Sequence, residues 1–300
     1  MKPIQIFIDS CGELNKDNRT KYGIDYCPMT LNIDGKEYLA SLDYDQGISF
    51  HDFYEIMRSG KRCFTSQVPT TIFEEKFKKA ISEGKDVLYI SCSSALSASY
   101  ASAVKVANEI MEGNKDAKVI CFDSKNSCYG QASMAIKAAS LRDEGKSIEE
   151  IVAWLSENIN RFNQFATVDD LKYLKQAGRV KASAAFFGNI FSVHPILISD
   201  VNGNNLAVKK INGKKKAISY IAQSLVENAI DIENQTVYIC HADDLDSANA
   251  VKEAVLKLAK PKSIFVGPMG PIIGASTGPG TLGCYCFGKE NCLEYVKKDA

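Results

Sequence analysis

Neither sign of charge predominates in this sequence: thirty-six basic side chains balance thirty-six acidic ones across 300 residues. Nothing therefore draws the chain as a whole to nucleic acid or to an anionic membrane surface. No apolar run approaches the ~20 residues of a membrane span, and the opening MKPIQIFIDS is interrupted by Asp9 too early for a secretory signal. A cytoplasmic protein without integral membrane association is expected. The sequence also lacks C-x-x-C, H-E-x-x-H, a P-loop and an acidic metal cluster, so it gives no ground for a metal ion. Internal repeats and low-complexity tracts are missing as well. What is present is a globular composition, 45% apolar and long enough for two domains or one large one. Ten cysteines are scattered through strand-like and helical segments, which predicts free buried thiols.

The most informative stretch is residues 87–103 (VLYISCSSALSASYASA), where an apolar strand-like run ends in five serines that lead into an alanine-rich helical pattern. In a parallel sheet such a strand-to-helix turn lies at the carboxyl edge, where ligands bind, and free amides at a helix start favour negative charge. Two readings stay open from these residues alone. One of Ser93, Ser94 and Ser97 caps a helix, or the hydroxyls together hold an anionic ligand.

Strand candidates at residues 4–8, 87–90, 119–122 and 165–168 alternate with helical patterns, which predicts an α/β fold with parallel strands. Thr71-x-x-Glu74 and Ser147-x-x-Glu150 read as capping boxes, and Gly84 and Gly145 fall where helices stop. After about residue 166 the pattern changes to a helix near 169–176 and a hairpin through 196–211 turning at Asn202-Gly203-Asn204. Helix, strand, helix and strand follow. The expected organisation is an N-terminal α/β part, 1–165, a C-terminal α/β part with a mixed sheet, 166–288, and a tail, 289–300.

Several segments in fixed order resemble the DegV family. Residues 6–14 (IFIDSCGEL) match its opening strand and Asp-Ser turn, 65–69 (TSQVP) its Thr-Ser-Gln-Pro element, and 93–100 (SSALSASY) its serine-rich turn. Residues 119–130 (VICFDSKNSCYG), 170–180 (DLKYLKQAGRV), 194–197 (HPIL) and 267–283 (GPMGPIIGASTGPGTLG) continue the series, so the resemblance covers residues 4–287. It implies a two-part fold that holds one long-chain fatty acid, such as palmitate, stearate or oleate, in a tunnel between the parts. It implies binding without chemistry by this chain, and in some members presentation of the acid to a separate fatty acid kinase subunit. By the same match, Thr65 and Ser93 contact the carboxylate, with Ser66, Ser94, Ser97, Ser276 and Thr277 as secondary contacts and Arg179 on a kinase-docking face. The physical requirement agrees: a buried hydrocarbon supplies affinity, while a carboxylate away from water needs donors such as hydroxyls and amides. Three departures mark the chain. Ser276 stands where the family carries a histidine, Ala98 where glycine is usual in the serine-rich turn, and Ala177 in place of the first glycine of Gly-Gly-Arg. The missing imidazole bears on kinase coupling.

Other motifs receive plainer readings. Gly278-Pro279-Gly280-Thr281-Leu282-Gly283 spells G-x-G-x-x-G but lacks the strand before and the helix after that a dinucleotide needs; a turn packed closely on the ligand fits it better. Cys284-x-Cys286 is too little for zinc. His241 with Asp243 and Asp244 reads as a strand-end loop with a helix cap rather than an acid–base group, and His51 and His194 show no partner. Asp9-Ser10 and Asp123-Ser124 read as structural turns, and Lys214, Lys215 and Lys216 as a solvated helix start. Arg179 also suits a helix C-terminus without any partner. The rival class is an enzyme of phosphoryl-transfer or hydrolase type acting at the serine-rich turn, in a two-part fold that resembles dihydroxyacetone kinases.

Overall fold

Apolar runs of four to six residues separated by amphipathic spacings must pair as strands and cover themselves with helices. The computed structural model, which describes residues 2–45, 47–183, 186 and 193–290, shows this α/β alternation. In chain order come β1 (Ile4–Asp9), α1 (Lys16–Tyr22), β2 (Ile24–Cys27), β3 (Thr30–Ile33), β4 (Lys36–Leu39), α2 (Phe50–Arg58) and β5 (Cys63–Ser66). Then follow α3 (Thr70–Ser82), β6 (Asp86–Ser91), α4 (Ser99–Gly113), β7 (Val119–Asp123), α5 (Cys128–Asp143), α6 (Ile148–Asn158) and β8 (Phe162–Thr167). The rest is α7 (Leu171–Ala177), β9 (Val180–Lys181), β10 (Val193–Ser199), β11 (Asn205–Asn212), α8 (Lys214–Asn228), β12 (Thr236–His241), α9 (Leu245–Leu258), β13 (Ser263–Pro268), α10 (Pro271–Thr277) and β14 (Leu282–Phe287).

The chain divides into two compact units, Met1–Gly47 with Thr65–Ile159, and Ile48–Phe64 with Asn160–Ala300. Each is discontinuous in sequence, which a single cut cannot express. Of the tail expected at 289–300, residues 291–300 lie outside the described residues.

The first unit is built on a parallel sheet in the order β2-β1-β6-β7. Every residue of β6 is buried, as expected of a strand covered on both faces. Helix α3 seats on the sheet through aromatic rings: Phe73 lies 5.0 Å from Tyr89, centroid to centroid, and Phe77 5.7 Å from Phe7. Buried Ala132, Ala135, Ala138 and Ala139 line α5, which packs against β1 and β6. Beyond β1 the chain turns to β2 on one side, and beyond β6 to β7 on the other. The topological switch point therefore falls between β1 and β6, and the turns after these two strands flank the crevice in which open parallel sheets bind ligands.

The second unit holds a mixed sheet in the order β13-β12-β14-β8-β10-β11-β9. Phe165, Ile221, Leu225, Ile239, Val251 and Cys284 belong to its buried core, under α8 and α9. The expected hairpin is β10–β11, whose turn is organised by Asp200 accepting from Asn202 N at 2.9 Å and Asn204 N at 2.8 Å. Helix α2 belongs to this unit; Tyr54 on it donates to Met269 O at 2.5 Å.

Three expectations need correction. The Ser147–Glu150 capping box forms, but α3 starts at Thr70 after Pro69 with no side-chain cap, so Thr71-x-x-Glu74 is not a capping box. Proline at that point presets the backbone entry without a hydroxyl. Strand β8 ends at Thr167 and begins at Phe162, earlier than the apolar cluster at 165–168 implied. The short strands β2 to β5 escape the sequence reading altogether.

Candidate functional site

The serine-rich turn follows β6 directly, at one side of the switch point. Most of its backbone amides are spoken for. Cys92 N donates to Asp9 Oδ2 at 2.7 Å, Ser93 N to Asn126 O at 2.8 Å, and Ser94 N to Asp123 Oδ1 at 3.0 Å. Ala95 N donates to Ser93 Oγ at 3.2 Å, Leu96 N and Ser97 N to Ser93 O, and Ser99 N to Ser97 Oγ at 3.2 Å. Helix α4 begins at Ser99 with Ala98 before it and no side-chain cap, so none of Ser93, Ser94 and Ser97 caps it through its hydroxyl in the usual N-cap position. Of the amides at the start of α4, Ser99 N is taken by Ser97 Oγ, while Tyr100 N and Ala101 N have no hydrogen-bond partner among the described residues, so hydroxyls and helix-start amides both remain as donors for an anion here.

The hydroxyls differ among themselves. Ser94 is exposed and its Oγ donates to Asp123 Oδ2 at 2.5 Å. Ser97 Oγ and Ser99 Oγ lie 3.0 Å apart, and buried Ser99 accepts from Val68 N at 3.1 Å. That last bond ties the 65–69 segment to the serine-rich turn, so the structure brings together two stretches that the sequence separates by about thirty residues. Thr65 is half-buried and Ser66 exposed at the end of β5; neither hydroxyl has a hydrogen-bond partner among the described residues. Ser93 is fully buried.

Beneath the turn, Asp9 is a buried carboxylate accepting from Cys11 N at 3.0 Å, Cys92 N at 2.7 Å and the Tyr89 hydroxyl at 2.8 Å. Burial pushes its pKa up, against the lowering effect of these donors. Ser10 Oγ accepts from Met29 N at 3.0 Å, so the Asp-Ser turn is structural, as its counterpart at Asp123-Ser124 is. The nine described cysteines are free, seven of them buried; burial raises Cys121 and Cys286 to about 12, which makes these thiols poor nucleophiles.

In the second unit, Ser276 and Thr277 are the last residues of α10. Thr277 Oγ1 donates back to Ile273 O at 3.1 Å, while half-buried Ser276 has no side-chain partner among the described residues. The loop behind them is held by close approach. A Cβ on Gly278, at φ +85°, would lie 2.2 Å from Tyr173 Cδ2, and one on Gly280, at φ +78°, 2.1 Å from Asp169 Oδ2. Lys214 Nζ completes the lock, 2.6 Å from both Asp169 Oδ2 and Asp244 Oδ2. Lys214 is therefore an ion-paired residue, not a solvated one as the lysine run implied. The G-x-G-x-x-G letters run from the end of α10 into β14, without the preceding strand and following helix of a dinucleotide site. The spelling G-x-S-x-G does occur, as Gly274-Ala275-Ser276-Thr277-Gly278, but it sits at a helix end rather than on a strand-to-helix turn, so it is not a nucleophile elbow.

His241 Nδ1 accepts from Asp244 N at 3.2 Å, and burial lowers the pKa of its ring. Asp244 caps α9 by accepting from Ser247 N at 3.1 Å. Asp243 turns instead to α2, where Arg58 lies at 2.5 Å and His51 Nδ1 at 3.0 Å. Donor atoms of His51, Glu55 and Asp243 fall within 4.8 Å of one another, a grouping the sequence hid, but Arg58 already neutralises Asp243. His194 Nδ1 lies 3.4 Å from Asp169 Oδ1. Arg179 is exposed just past α7, donating to Ala177 O at 2.6 Å.

The chain is similar along nearly its whole length to known proteins. The profile described as uncharacterised protein, DegV family, matches residues 3–289. A DegV domain-containing protein of Clostridium perfringens is 33% identical over 288 residues, 96% of this chain and 98% of the relative. The crystal structure of DegV, a fatty acid binding protein from Bacillus subtilis, matches at 29% identity and TM-score 0.83, covering 96% of this chain and 100% of that one. A DegV family protein from Thermus thermophilus, solved for its fatty acid binding, matches at 27% identity and TM-score 0.86 with coverage of 96% and 100%.

Proposed function

The chain belongs to the DegV family, and on that premise we propose that it binds one long-chain fatty acid, with the carboxylate held by Thr65 and Ser93 and the tail in a buried tunnel between the N-terminal part, 1–165, and the C-terminal part, 166–288. The supporting observation is the bond from Val68 N to Ser99 Oγ, which fastens the Thr65 segment to the serine-rich turn at the switch point. Relatives of known structure above a quarter identity are described as fatty acid binding, and these hydroxyls are the donors such a head group requires. Each buried methylene adds about 0.8 kcal/mol, so the tail carries the affinity and the hydroxyls set orientation. Ser66 and Ser276 are further donors in this reading; Ser94 and Thr277 already give their protons to protein acceptors, and Ser97 shares a hydrogen bond with Ser99 in which either hydroxyl can donate.

Mass spectrometry of lipid extracted from the purified protein is expected to return unmodified long-chain acid. Thr65→Ala with Ser93→Ala is expected to weaken stearate binding ~100-fold, the worth of two hydrogen bonds to a charged group. Unchanged affinity in the double variant removes the head-group assignment. A carrier is preferred to a hydrolase because relatives of known structure above a quarter identity are described as binding fatty acids. Ester hydrolysis abolished by Ser93→Ala would reverse that preference.

The reading extends to a cytoplasmic carrier that presents its acid to a separate kinase subunit through a face bearing Arg179. Arg179→Ala should then keep lipid binding and lose phosphorylation of the bound acid. Among the described residues no helix is long and apolar enough to cross a membrane.

A further inference from the structure

Asp123 ends β7, and its carboxylate takes three hydrogen bonds: Ser94 N at 3.0 Å and Lys125 N at 3.0 Å on Oδ1, and Ser94 Oγ at 2.5 Å on Oδ2. One residue earlier, Ser93 N donates to Asn126 O at 2.8 Å, and Ser124 N donates to Ser91 O at 3.3 Å. The serine-rich turn is thus stitched to the β7–α5 loop along both backbones, and Asp123 supplies the charged stitches. A serine has one hydroxyl proton, and Ser94 gives it to Asp123. A second anion would find at Ser94 no donor and a like charge behind it.

We propose that Asp123 is a positioning residue for the head-group site: by capturing Ser94 it withdraws that serine from ligand contact and fixes the backbone that presents the buried Ser93. The inference rests on Ser93 as a carboxylate donor and adds the residue that sets it apart from the adjacent Ser94. Asp123 and Ser94 are 29 residues apart, so no motif in the sequence displays the pair.

The test is a calorimetric titration of stearate into the delipidated full-length protein. Asp123→Ala is expected to weaken binding ~10-fold, about one charge-assisted hydrogen bond's worth of positioning. Ser94→Ala should change affinity less than ~3-fold, because both backbone amide bonds to Asp123 Oδ1 remain and only the hydroxyl bond is lost. In a Ser93→Ala background Asp123→Ala should have no further effect, since it acts through Ser93. Equal losses in both backgrounds would make Asp123 a structural residue only and overturn the inference, as would an unaltered affinity in Asp123→Ala. A loss in Ser94→Ala as large as in Ser93→Ala would also overturn it, by making Ser94 a ligand. If Asp123→Ala fails to fold, Asp123→Asn decides: its Oδ1 keeps both amide bonds, so affinity within ~3-fold of wild type supports positioning and a loss beyond ~10-fold refutes it. Should Ser93→Ala leave binding intact, the head-group reading falls and takes this inference with it; a strong Ser93 effect beside a silent Asp123 sinks the inference alone.

Discussion

Two hydroxyl-bearing loops, one in each unit, are held still by different physics. The serine-rich turn is fixed by acceptors: Asp9, Asn126 and Asp123 each take one of three consecutive amides. The loop at residues 276–280 is fixed by absence, with Tyr173 and Asp169 filling the space that side chains on Gly278 and Gly280 would need, and by the Lys214 ion pairs. Hydrogen-bond clamps preserve the donors and acceptors of a turn while ordering it, whereas steric clamps depend on the lack of an atom. The first kind of loop tolerates added volume on its exposed side, and the second tolerates none.

The sharpest way to break this contrast is Gly278→Ala. It forces a methyl into the Tyr173 ring at a left-handed backbone position, and a loss of about 3 kcal/mol in guanidinium unfolding is expected. A near-neutral result would show that the ring moves aside and that the steric clamp is illusory. In the other loop, Asp9→Ala orphans Cys11 N, Cys92 N and the Tyr89 hydroxyl together, for an expected loss of about 2 kcal/mol. If that variant is as stable as wild type, water must reach those donors and the buried acceptor does not organise the turn.

The smallest expected effect sharpens the role of charge in the second unit. The hydrogen bond to Asp243 raises the pKa of His51, so the stabilisation from that pair is fully present below the ordinary imidazole value and lost as pH rises through the raised one. The His51 side chain is 65% exposed, so the effect is screened and slight. The melting-temperature gap between wild type and His51→Gln should narrow from about pH 6 to pH 9 at low salt. A gap independent of pH would assign the contact to packing instead.

Much of the parallel sheet was legible because apolar runs such as 4–8, 87–90 and 119–122 can only be buried strands when helices flank them. Asn202-Gly203-Asn204 marked the hairpin because its turn needs a positive φ, which Gly203 adopts at +80°. The four-residue strands β2 to β5 carry too little periodicity to be seen, and the transfer of residues 48–64 to the second unit leaves no local trace. In the site, the run of serines announced itself, yet which hydroxyls are spent and which remain was hidden. That depends on partners such as Asp123 for Ser94 and Val68 for Ser99, each about thirty residues away.

By itself the chain of residues decided the fold class and the kind of group gathered at the carboxyl edge, because strand burial and hydroxyl chemistry are local properties of residue type and spacing. The tertiary structure alone decided that Asp9, Asn126 and Asp123 hold the amides of residues 92–94, that Asp123 captures Ser94, and that Lys214 pairs with two carboxylates. Hydrogen bonding is exclusive and short-ranged: a proton given to one acceptor is withheld from every other, and only the folded arrangement determines who stands within 3 Å.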